Sequence, residues 1–392
     1  MLPARRPYPD ELCSSAVFRC CRQFNAPFKP LGAIHLGRAS WRPAFLGASP
    51  LLPLAELFNM PAEDLLWQHT VFPYATAAMA PELYGRALER AYDEAGNLGS
   101  HTAAVIHNVT RGVRFRRFCP QCIRDDTQTA HESFWHRSHH LPGVDVCTRH
   151  QCFLHETDLA IAAYGTLSKA APSECLGRPL GRGRPSAALV HLAKLSTSWL
   201  DRWRGDPLVM SSLDYRREAI RRGWLSETRE VDAAHLAACI RRVFSRKLLV
   251  RSGAPIDTST SSHWASMMLR PATKLPFAPV KHALLQTFLA AEPASGAPPL
   301  DRKVLGPPRT TASALDRFYS SAVKKELARV LKQGDRTTTE KLLKTVGSWG
   351  AYRRRRSELP KLQAVVDEFR ESKVSAKRLR AGKRRPPRPR DP

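Results

Sequence analysis

Two short metal-ligand motifs of matched spacing constrain this chain more than any other feature. Cys119 and Cys122 form a Cys-x-x-Cys pair, and after 24 intervening residues Cys147 and His150 form a Cys-x-x-His pair. Each pair is short enough for one tight turn to point both side chains at a single position. Together they supply three thiols and one imidazole, which is a ligand set of closed, four-coordinate structural zinc sites. The spacing therefore predicts a structural Zn²⁺ ion in a small Cys3His zinc-ribbon module.

Other arrangements of the same region stay open at this point. Several further donors lie nearby and could replace His150, namely His136, His139, His140, Cys152 and His155. The four residues could also be unrelated, because the chain holds nine Cys and fourteen His. A hydrolytic zinc ion is less favoured, since a catalytic site keeps three protein ligands and an open position for water.

The residues around the two pairs resemble the signature of the TniQ/TnsD family. The shared features are Arg117-Phe118-Cys119-Pro120-x-Cys122, the aromatic Trp135, and His140-Leu141-Pro142-Gly143 leading into Cys147 and His150. This order of unlike residue types runs across 33 positions and is more specific than a lone Cys-x-x-Cys. The likeness extends over about residues 7–290. Members of this family select target sites for Tn7-like bacterial transposons.

The resemblance implies a targeting adaptor rather than an enzyme. Such proteins bind a chosen chromosomal sequence directly or join an RNA-guided effector complex. They then recruit a AAA+ ATPase regulator, which recruits the transposase. The length of the chain and its TnsD-like segment after residue 186 favour direct binding to double-stranded DNA over RNA-guided targeting. A zinc-containing DNA-binding regulator unconnected with transposition is a further alternative.

Sequence motifs for catalysis are missing from the chain. It has no Gly-x-x-x-x-Gly-Lys-Ser/Thr phosphate loop, no acidic triad in a convincing context and no nucleophile elbow. These absences agree with a protein that is not an enzyme.

The charge of the chain points to a polyanionic partner. Lys and Arg number 62 against 35 Asp and Glu, which gives a net charge of +27. Arginine dominates, and its planar guanidinium suits phosphates and base edges. A membrane partner is not expected, because no apolar run reaches eighteen residues and no wide amphipathic basic helix stands out. Cysteine usage and the lack of a secretory signal suggest a cytoplasmic, nucleoid-associated protein.

Clusters of basic side chains are the candidate DNA contacts. They are Arg114, Arg116 and Arg117 before the zinc motif, Arg241, Arg242, Arg246 and Lys247 on one predicted helix, and Arg353, Arg354, Arg355 and Arg356 in an unbroken run. Contacts of this kind to the phosphate backbone would give a salt-dependent affinity.

Helical periodicity predicts a mainly α fold in which helix-turn-helix units flank the zinc ribbon. Asp10 is expected to cap the first helix, and two short helices around Asn59-Met60-Pro61 have helix-turn-helix spacing. Acidic residues on the second of these helices favour a protein contact or a structural three-helix packing unit over DNA reading. Helices predicted over 215–223 and 231–248 form a more basic unit, our best candidate for reading bases in a groove.

Composition further predicts a multi-domain chain. The expected segments are an N-terminal helical domain at 1–112, the zinc-ribbon module at 113–165, a Gly/Arg/Pro linker at 166–186, a TnsD-like helical DNA-binding domain at 187–290, a Pro-rich linker at 291–312, a C-terminal helical unit at 313–372 and a disordered basic tail at 373–392. Within the fourth segment, His282 is expected to be a packed, hydrogen-bonded histidine rather than a ligand.

Overall fold

A computed structural model provides the fold. It describes residues 4–25, 45–48, 50–92, 106, 112–161, 170–203, 208, 211–226, 230–257, 263–270, 277–291, 300–302, 312–332 and 337–382. Most of the described residues are helical, so the mainly α prediction is confirmed. The chain separates into two compact units, residues 1–302 and residues 303–392.

The first unit contains twelve helices and five short strands among its described residues. The helices are α1 (Cys13–Gln23), α2 (Leu51–Leu57), α3 (Ala62–Gln68), α4 (Phe72–Thr76), α5 (Pro81–Tyr92), α6 (Pro120–Ala130), α7 (Ala187–Leu200), α8 (Ser212–Arg221), α9 (Ala233–Val243), α10 (Arg246–Arg251), α11 (Trp264–Met268) and α12 (Pro279–Ala290). The strands are β1 (Phe115–Phe118), β2 (His155–Ala160), β3 (Gly177–Pro179), β4 (Glu230–Val231) and β5 (Asp301–Arg302). Short 3-10 helices lie at Arg137–His140 and Pro172–Glu174.

One hydrophobic core runs through this unit. Its fully buried side chains come from α1, α3, the zinc-motif region, α7 and α12, and include Val17, Leu66, Trp135, Leu192 and Leu284. The segments that we predicted as an N-terminal domain, a zinc module and a TnsD-like domain therefore contribute to a shared core. Burying such side chains stabilises each segment by contact with the others.

The segment predicted as the 166–186 linker is largely built into the fold, and this prediction needs correction. Gly177–Pro179 forms β3, which pairs with β2 in the antiparallel sheet β1-β2-β3. A Cβ added at Gly177 would lie 2.7 Å from the ring of Phe118, and one at Gly181 would lie 2.3 Å from the ring of Phe153. The glycines thus allow close packing against aromatic rings. Residues 162–169 lie outside the described part of the chain.

The residue predicted to cap the first helix has a different role. The helix α1 begins at Cys13 with Leu12 at its N-cap and no side-chain cap. Asp10 instead adopts a left-handed backbone conformation, with φ of 61°. Its carboxylate accepts hydrogen bonds from the side chains of Arg137 and Ser138 and contacts His136. A long-range network has therefore replaced the local cap.

The helix predicted over 231–248 is broken into two. α9 ends at Val243, Phe244 is buried in an extended conformation, and α10 begins at Arg246. The hydroxyl of Ser245 accepts a hydrogen bond from the backbone N–H of Leu248, at 3.2 Å, and caps α10. A serine N-cap of this kind satisfies a donor that the first turn leaves open.

The N-terminal helix pair is present, but its role stays a prediction. α2 and α3 pack against each other across a turn in which Asn59 has a positive φ of 48°. α5 follows as the next helix, and residues 93–105 and 107–111 lie outside the described part of the chain.

Two further predictions concern the TnsD-like segment. His282 is buried on α12, and its Nδ1 lies 2.7 Å from the hydroxyl of Tyr215, which confirms a packed, hydrogen-bonded histidine. The predicted 291–312 linker is partly wrong, because Leu300 is fully buried and β5 pairs with β4.

The second unit is a small helical bundle. Its helices are α13 (Ala312–Lys332), α14 (Thr339–Thr345), α15 (Trp349–Arg354) and α16 (Pro360–Gly382), with a 3-10 turn at Arg356–Glu358. Val323, Leu342 and Leu362 lie in its core. The carboxylate of Asp316 accepts hydrogen bonds from the backbone N–H groups of Lys361 and Leu362, at 2.8 and 2.7 Å. The disordered tail predicted at 373–392 needs correction as far as Gly382, because α16 continues to that residue, and residues 383–392 lie outside the described part of the chain.

None of the described helices is both long enough and apolar enough to cross a bilayer.

Candidate metal centre

The first pair of predicted ligands sits where a strand meets a helix. β1 ends at Phe118, and Cys119 occupies the N-cap position of α6 in an extended conformation. Pro120 starts the helix, and Cys122 follows in its first turn and is buried. Proline is well suited to this position, because a backbone N–H in the first turn of a helix has no acceptor within the helix, so proline loses no helical hydrogen bond there. The strand-to-helix junction therefore turns both sulfurs toward the same side.

The second pair sits in a tight turn that closes on itself. The backbone N–H of Cys147 donates to the carbonyl of Cys152, and the N–H of Gln151 donates to the carbonyl of Cys147, at 2.9 and 2.8 Å. Gln151 adopts a positive φ of 49° to close this turn. An isolated antiparallel β-bridge pairs Val146, just before this turn, with Phe153, just after it. These bonds hold the Cys147 and His150 side chains in place.

The structure brings the four predicted ligand atoms together within 4.8 Å of one another. Nδ1 of His150 lies 3.5 Å from Sγ of Cys119, 3.4 Å from Sγ of Cys122 and 3.6 Å from Sγ of Cys147. The sulfurs of Cys122 and Cys147 are 3.7 Å apart. Tetrahedral bonds of about 2.3 Å to sulfur and about 2.0 Å to nitrogen would give separations of about 3.5 to 3.8 Å. Four of the six donor pairs therefore have the spacing that a tetrahedral metal ion requires, and the other two lie within 4.8 Å.

The surroundings of the cluster favour a bound ion over free thiols. All three cysteines are at least 98% buried, while His150 is partly exposed. Hydrogen bonds from the thiols of Cys122 and Cys147 lower the pKa of the Cys119 thiol, whereas the pKa values of Cys122 and Cys147 are raised, so the cluster forms one thiolate most readily. A thiolate is the form that binds a metal. The buried Cys3His cluster can thus hold a metal ion without an open ligand position.

The spare donors have other partners or border the cluster. The ring of His136 lies between two carboxylates, and Nε2 of His140 accepts from the backbone N–H of Arg117. His155 lies on β2 with its ring 5.5 Å from that of Phe118. Two donors remain at the edge of the site: Nε2 of His139 is 3.8 Å from Sγ of Cys122, and Sγ of Cys152 is 3.5 Å from Sγ of Cys119.

A carboxylate that sequence reasoning missed supports the histidine. Oδ2 of Asp125 lies 3.0 Å from Nε2 of His150, the ring nitrogen that points away from the sulfurs. Metal-binding histidines commonly donate their second ring N–H to a carboxylate, which fixes the tautomer and the ring orientation. The available signal was helical spacing, since Asp125 follows Cys122 by three residues on α6 and so lies on the same face.

Two of the predicted DNA contacts, Arg116 and Arg117, are corrected by the structure. Both are only 1% exposed. Arg117 donates to Glu156 at 3.0 Å and to the carbonyl of Val144 at 3.3 Å. Burial lowers the pKa of both guanidinium groups, to about 10 for Arg116. Their side chains face the protein interior and have no surface to offer to a phosphate.

The guanidinium of Arg116 is enclosed by aromatic rings. It lies 4.9, 4.4 and 5.5 Å from the ring centres of Phe18, Phe45 and Trp135. Cation–π attraction of this kind is strongest where water is excluded. The arginine therefore ties β1 to the N-terminal helix instead of binding DNA.

The other predicted DNA contacts are exposed wherever their side chains are described. In the first unit these are Arg114, Arg241, Arg242, Arg246 and Lys247. In the second unit Arg353, Arg355 and Arg356 are exposed, and the side chain of Arg354 lies outside the described residues. Arg355 is 2.6 Å from Glu358, and Arg356 is 4.0 Å from Asp367, so part of this charge is paired within the unit. DNA contact by these residues stays a prediction.

A buried arginine next to the metal cluster, also missed from the sequence, joins separate parts of the first unit. Arg137 donates to the carbonyls of Trp67 on α3 and Leu200 on α7, at 2.7 and 3.3 Å. It also forms ion pairs with Asp10 and Asp201, at 3.1 and 2.9 Å. The metal-binding region is thereby fixed to the helices on both sides of it in sequence.

Comparison with known proteins adds two findings. Residues 3–154 match the family model described as TniQ, and this range includes all four residues of the metal cluster. The transposon Tn7 transposition protein TnsD of Escherichia coli is 22% identical over 236 residues, which cover 57% of this chain and 44% of that protein. The chain thus matches less than half the length of this relative.

Proposed function

We propose that this TniQ/TnsD-family protein, whose TniQ domain spans residues 3–154, selects the insertion site of a Tn7-like transposon. In this proposal the protein binds double-stranded DNA directly. A role in target selection for Tn7-like transposition is supported by the family and the relative. The direct mode of DNA recognition is the part that we add.

The exposed basic face of α9 and α10 carries this proposal. Arg241 and Arg242 close α9, and Arg246 and Lys247 open α10 across a two-residue connection. All four are exposed, whereas Leu236, Ile240 and Leu248 on the same helices are buried. A pair of helices with a packed inner face and a cationic outer face fits the geometry of helix-turn-helix DNA binding. Its charge would supply salt-dependent affinity for phosphates.

The metal ion in this proposal is a structural Zn²⁺, held by Cys119, Cys122, Cys147 and His150. Three thiolates and one imidazole at tetrahedral spacing match zinc, and hard cations such as Mg²⁺ prefer oxygen ligands. Four protein ligands leave no position for a reacting water. The ion would fix the β1–α6 junction against the turn that carries Cys147. The protein would then act as an adaptor without catalytic activity of its own.

The proposed role also requires protein partners. A site selector has to pass its choice to the transposition machinery, through a AAA+ ATPase regulator that brings the transposase. The α2–α3 pair is a candidate contact surface, because Glu63 and Asp64 in the first turn of α3 suit a protein partner better than phosphate. An RNA-guided effector complex would replace direct DNA reading if the protein bound no specific site itself.

A selection experiment tests direct recognition. The zinc-loaded protein is incubated with genomic DNA fragments, without guide RNA, at about 150 mM salt, near physiological ionic strength. Enrichment of one short motif is expected, with loss of enrichment in Arg241→Ala/Arg242→Ala. The control is Arg86→Ala/Arg90→Ala, which removes two exposed arginines from α5. Sequence-blind binding by the parent protein would contradict direct site selection.

A further inference from the structure

An open groove lies between α10 and the three-stranded sheet β1-β2-β3. It has a volume of about 1280 Å³. The sheet side is lined by Arg114, Phe115 and Arg178, and the helix side by Arg246, Lys247 and Val250. Arg178 is the middle residue of β3, in the segment that sequence composition had marked as a linker. The fold thus brings three distant stretches of sequence to one groove.

The groove has an excess of available positive charge. Arg114, Arg178, Arg246 and Lys247 are all exposed, and within the described part of the chain none of them forms an ion pair with a carboxylate. The remaining cation, Arg251, is bound to Asp145. Four cations without carboxylate partners repel one another and favour an anionic occupant.

The acidic residues of the groove do not cancel this charge. Of the two carboxylates in the lining, Glu156 is held by the buried Arg117 at 3.0 Å, which leaves Asp158. The groove therefore keeps a net positive charge that an anion can neutralise.

We propose that this groove seats the sugar–phosphate backbone of one strand of a DNA duplex, with Arg178 as the contact from β3. The inference rests on the proposed function and extends the basic face of α9 and α10, with which the groove shares Arg246 and Lys247, to the sheet β1-β2-β3. Guanidinium groups bind phosphate oxygens through two parallel hydrogen bonds, and Arg178 and Arg246 approach from opposite walls. Val250 offers an aliphatic contact to a deoxyribose or a thymine methyl group.

Both walls of the groove are anchored, so the backbone positions that carry the cations are fixed before a ligand arrives. β3 is paired with β2, and its Gly177 packs on Phe118, the residue that precedes the metal ligand Cys119. On the other wall, Arg251 of α10 is ion-paired with Asp145, two residues before Cys147. Each wall is therefore tied to a residue close in sequence to a metal ligand. A preformed site loses less entropy on binding than a flexible one.

An acidic peptide with aliphatic side chains is the competing occupant. Leu176 is 92% exposed and Val250 is 56% exposed, and such residues can mark protein contacts. DNA is favoured because the cations continue past the groove to Arg242 on α9, farther than a short peptide needs. The net charge of +27 for the whole chain also favours a long polyanion.

The test measures the salt dependence of DNA binding. The zinc-loaded full chain is titrated into a fluorescent DNA duplex of about 30 base pairs, roughly three helical turns, over a series of salt concentrations. In Arg114→Ala/Arg178→Ala, which removes two exposed arginines of the sheet wall and none of the α9–α10 face, the slope of log K against log salt should be smaller in magnitude by about 1.8, since each lost phosphate contact removes about 0.9. The control Arg86→Ala/Arg90→Ala removes the same charge from α5 and should leave the slope close to that of the parent.

A second variant tests the groove without removing a cation. Val250→Glu places a negative charge in the groove at an exposed position, so folding should be kept, and DNA binding should weaken about tenfold or more. Leu83→Glu is the matched control, because Leu83 is 47% exposed on α5. Zinc content and the thermal unfolding midpoint should equal those of the parent in all four variants.

The outcomes separate this inference from the proposed function. If the parent protein binds no duplex, the proposed function fails and the inference fails with it. If Arg241→Ala/Arg242→Ala weakens binding but both groove variants behave like their controls, the groove inference is overturned while direct DNA recognition stands. The exposed Leu176 and Val250 would then point to a peptide partner.

Discussion

The carboxylate of Asp125 lies 3.0 Å from Nε2 of His150, on the side of the imidazole that faces away from the three sulfurs. This contact fixes which ring nitrogen carries the proton. With Nε2–H donating to Asp125, Nδ1 is left with its lone pair directed at the sulfur cluster, which is the form that binds a metal. The helix α6 therefore supplies both a ligand, Cys122, and the group that orients another ligand.

We expect Asp125→Ala to weaken zinc binding by about 10- to 100-fold, since loss of an orienting carboxylate has an effect of this size at other metal sites. Competition with a chromophoric chelator measures the affinity. Gln128→Ala, an exposed substitution on the same helix, is the control and should leave the affinity unchanged. An unchanged affinity in Asp125→Ala would mean that the contact plays no part in metal binding.

A second prediction concerns the identity of the fourth ligand. Sγ of Cys152 is 3.5 Å from Sγ of Cys119, close enough to compete with His150 for the ion. Because Nδ1 of His150 is within 3.6 Å of the sulfurs of all three other ligands, we expect Cys152→Ser to keep one zinc per chain and His150→Gln to lose it or bind it weakly. Elemental analysis of the purified proteins gives the zinc content. The reverse pattern would mean that four cysteines, with Cys152 in place of His150, hold the ion.

The metal ligands could be predicted from sequence because their geometry is local. A Cys-x-x-Cys or Cys-x-x-His spacing fits within one turn, so the two side chains meet whatever the rest of the chain does. Asp125 is almost as local, since it lies one helical turn from Cys122. Helix content was likewise predictable from periodicity, and the buried stripe of Leu192, Trp199 and Leu200 on α7 followed it.

The errors come from contacts between residues far apart in sequence. Arg116 and Arg117 look like a basic patch, but the first lies among rings from α1 and the Phe45 loop, and the second binds Glu156 on β2. The glycines of 177–181 look like a flexible linker, yet Gly177 and Gly181 each lie so close to an aromatic ring that a larger side chain would not fit. Composition gives the residue type and not its neighbours, so it could not separate these cases.

The contrast between buried and exposed arginines leads to a third prediction. Arg117→Ala should lower the free energy of unfolding by about 3 kcal/mol, because it leaves the carboxylate of Glu156 and the carbonyl of Val144 without their partner. Arg246→Ala should leave the unfolding free energy within about 0.5 kcal/mol of the parent, as exposed substitutions usually do. Urea unfolding at saturating zinc measures both. Equal effects on stability would contradict the assignment of Arg117 to a structural role.

The last prediction concerns a buried histidine held between two acids. Nδ1 of His136 lies 3.2 Å from Oδ2 of Asp10, and Nε2 lies 2.9 Å from Oδ2 of Asp126. Burial alone would lower the pKa of His136, but the hydrogen bonds and charges of the two carboxylates outweigh it and raise the pKa to about 9. The protonated histidine therefore stabilises the folded state. This contribution is complete below the unfolded pKa of about 6.5 and is lost as the pH rises toward about 9.

We expect the free energy of unfolding at saturating zinc to fall by at most about 3 kcal/mol between about pH 6.5 and pH 9.5. This limit follows from the difference of about 2.5 between the folded and unfolded pKa of His136, at about 1.36 kcal/mol per pKa unit. His136→Gln cannot gain a proton, so its stability should change far less over the same range, although it should be lower than that of the parent at pH 6.5. Both proteins keep the same cysteines, so any effect of thiol ionisation on zinc binding cancels in the comparison. Parallel pH profiles for the two proteins would show that His136 is neutral in the folded protein and that Asp10 is held by Arg137 and Ser138 alone.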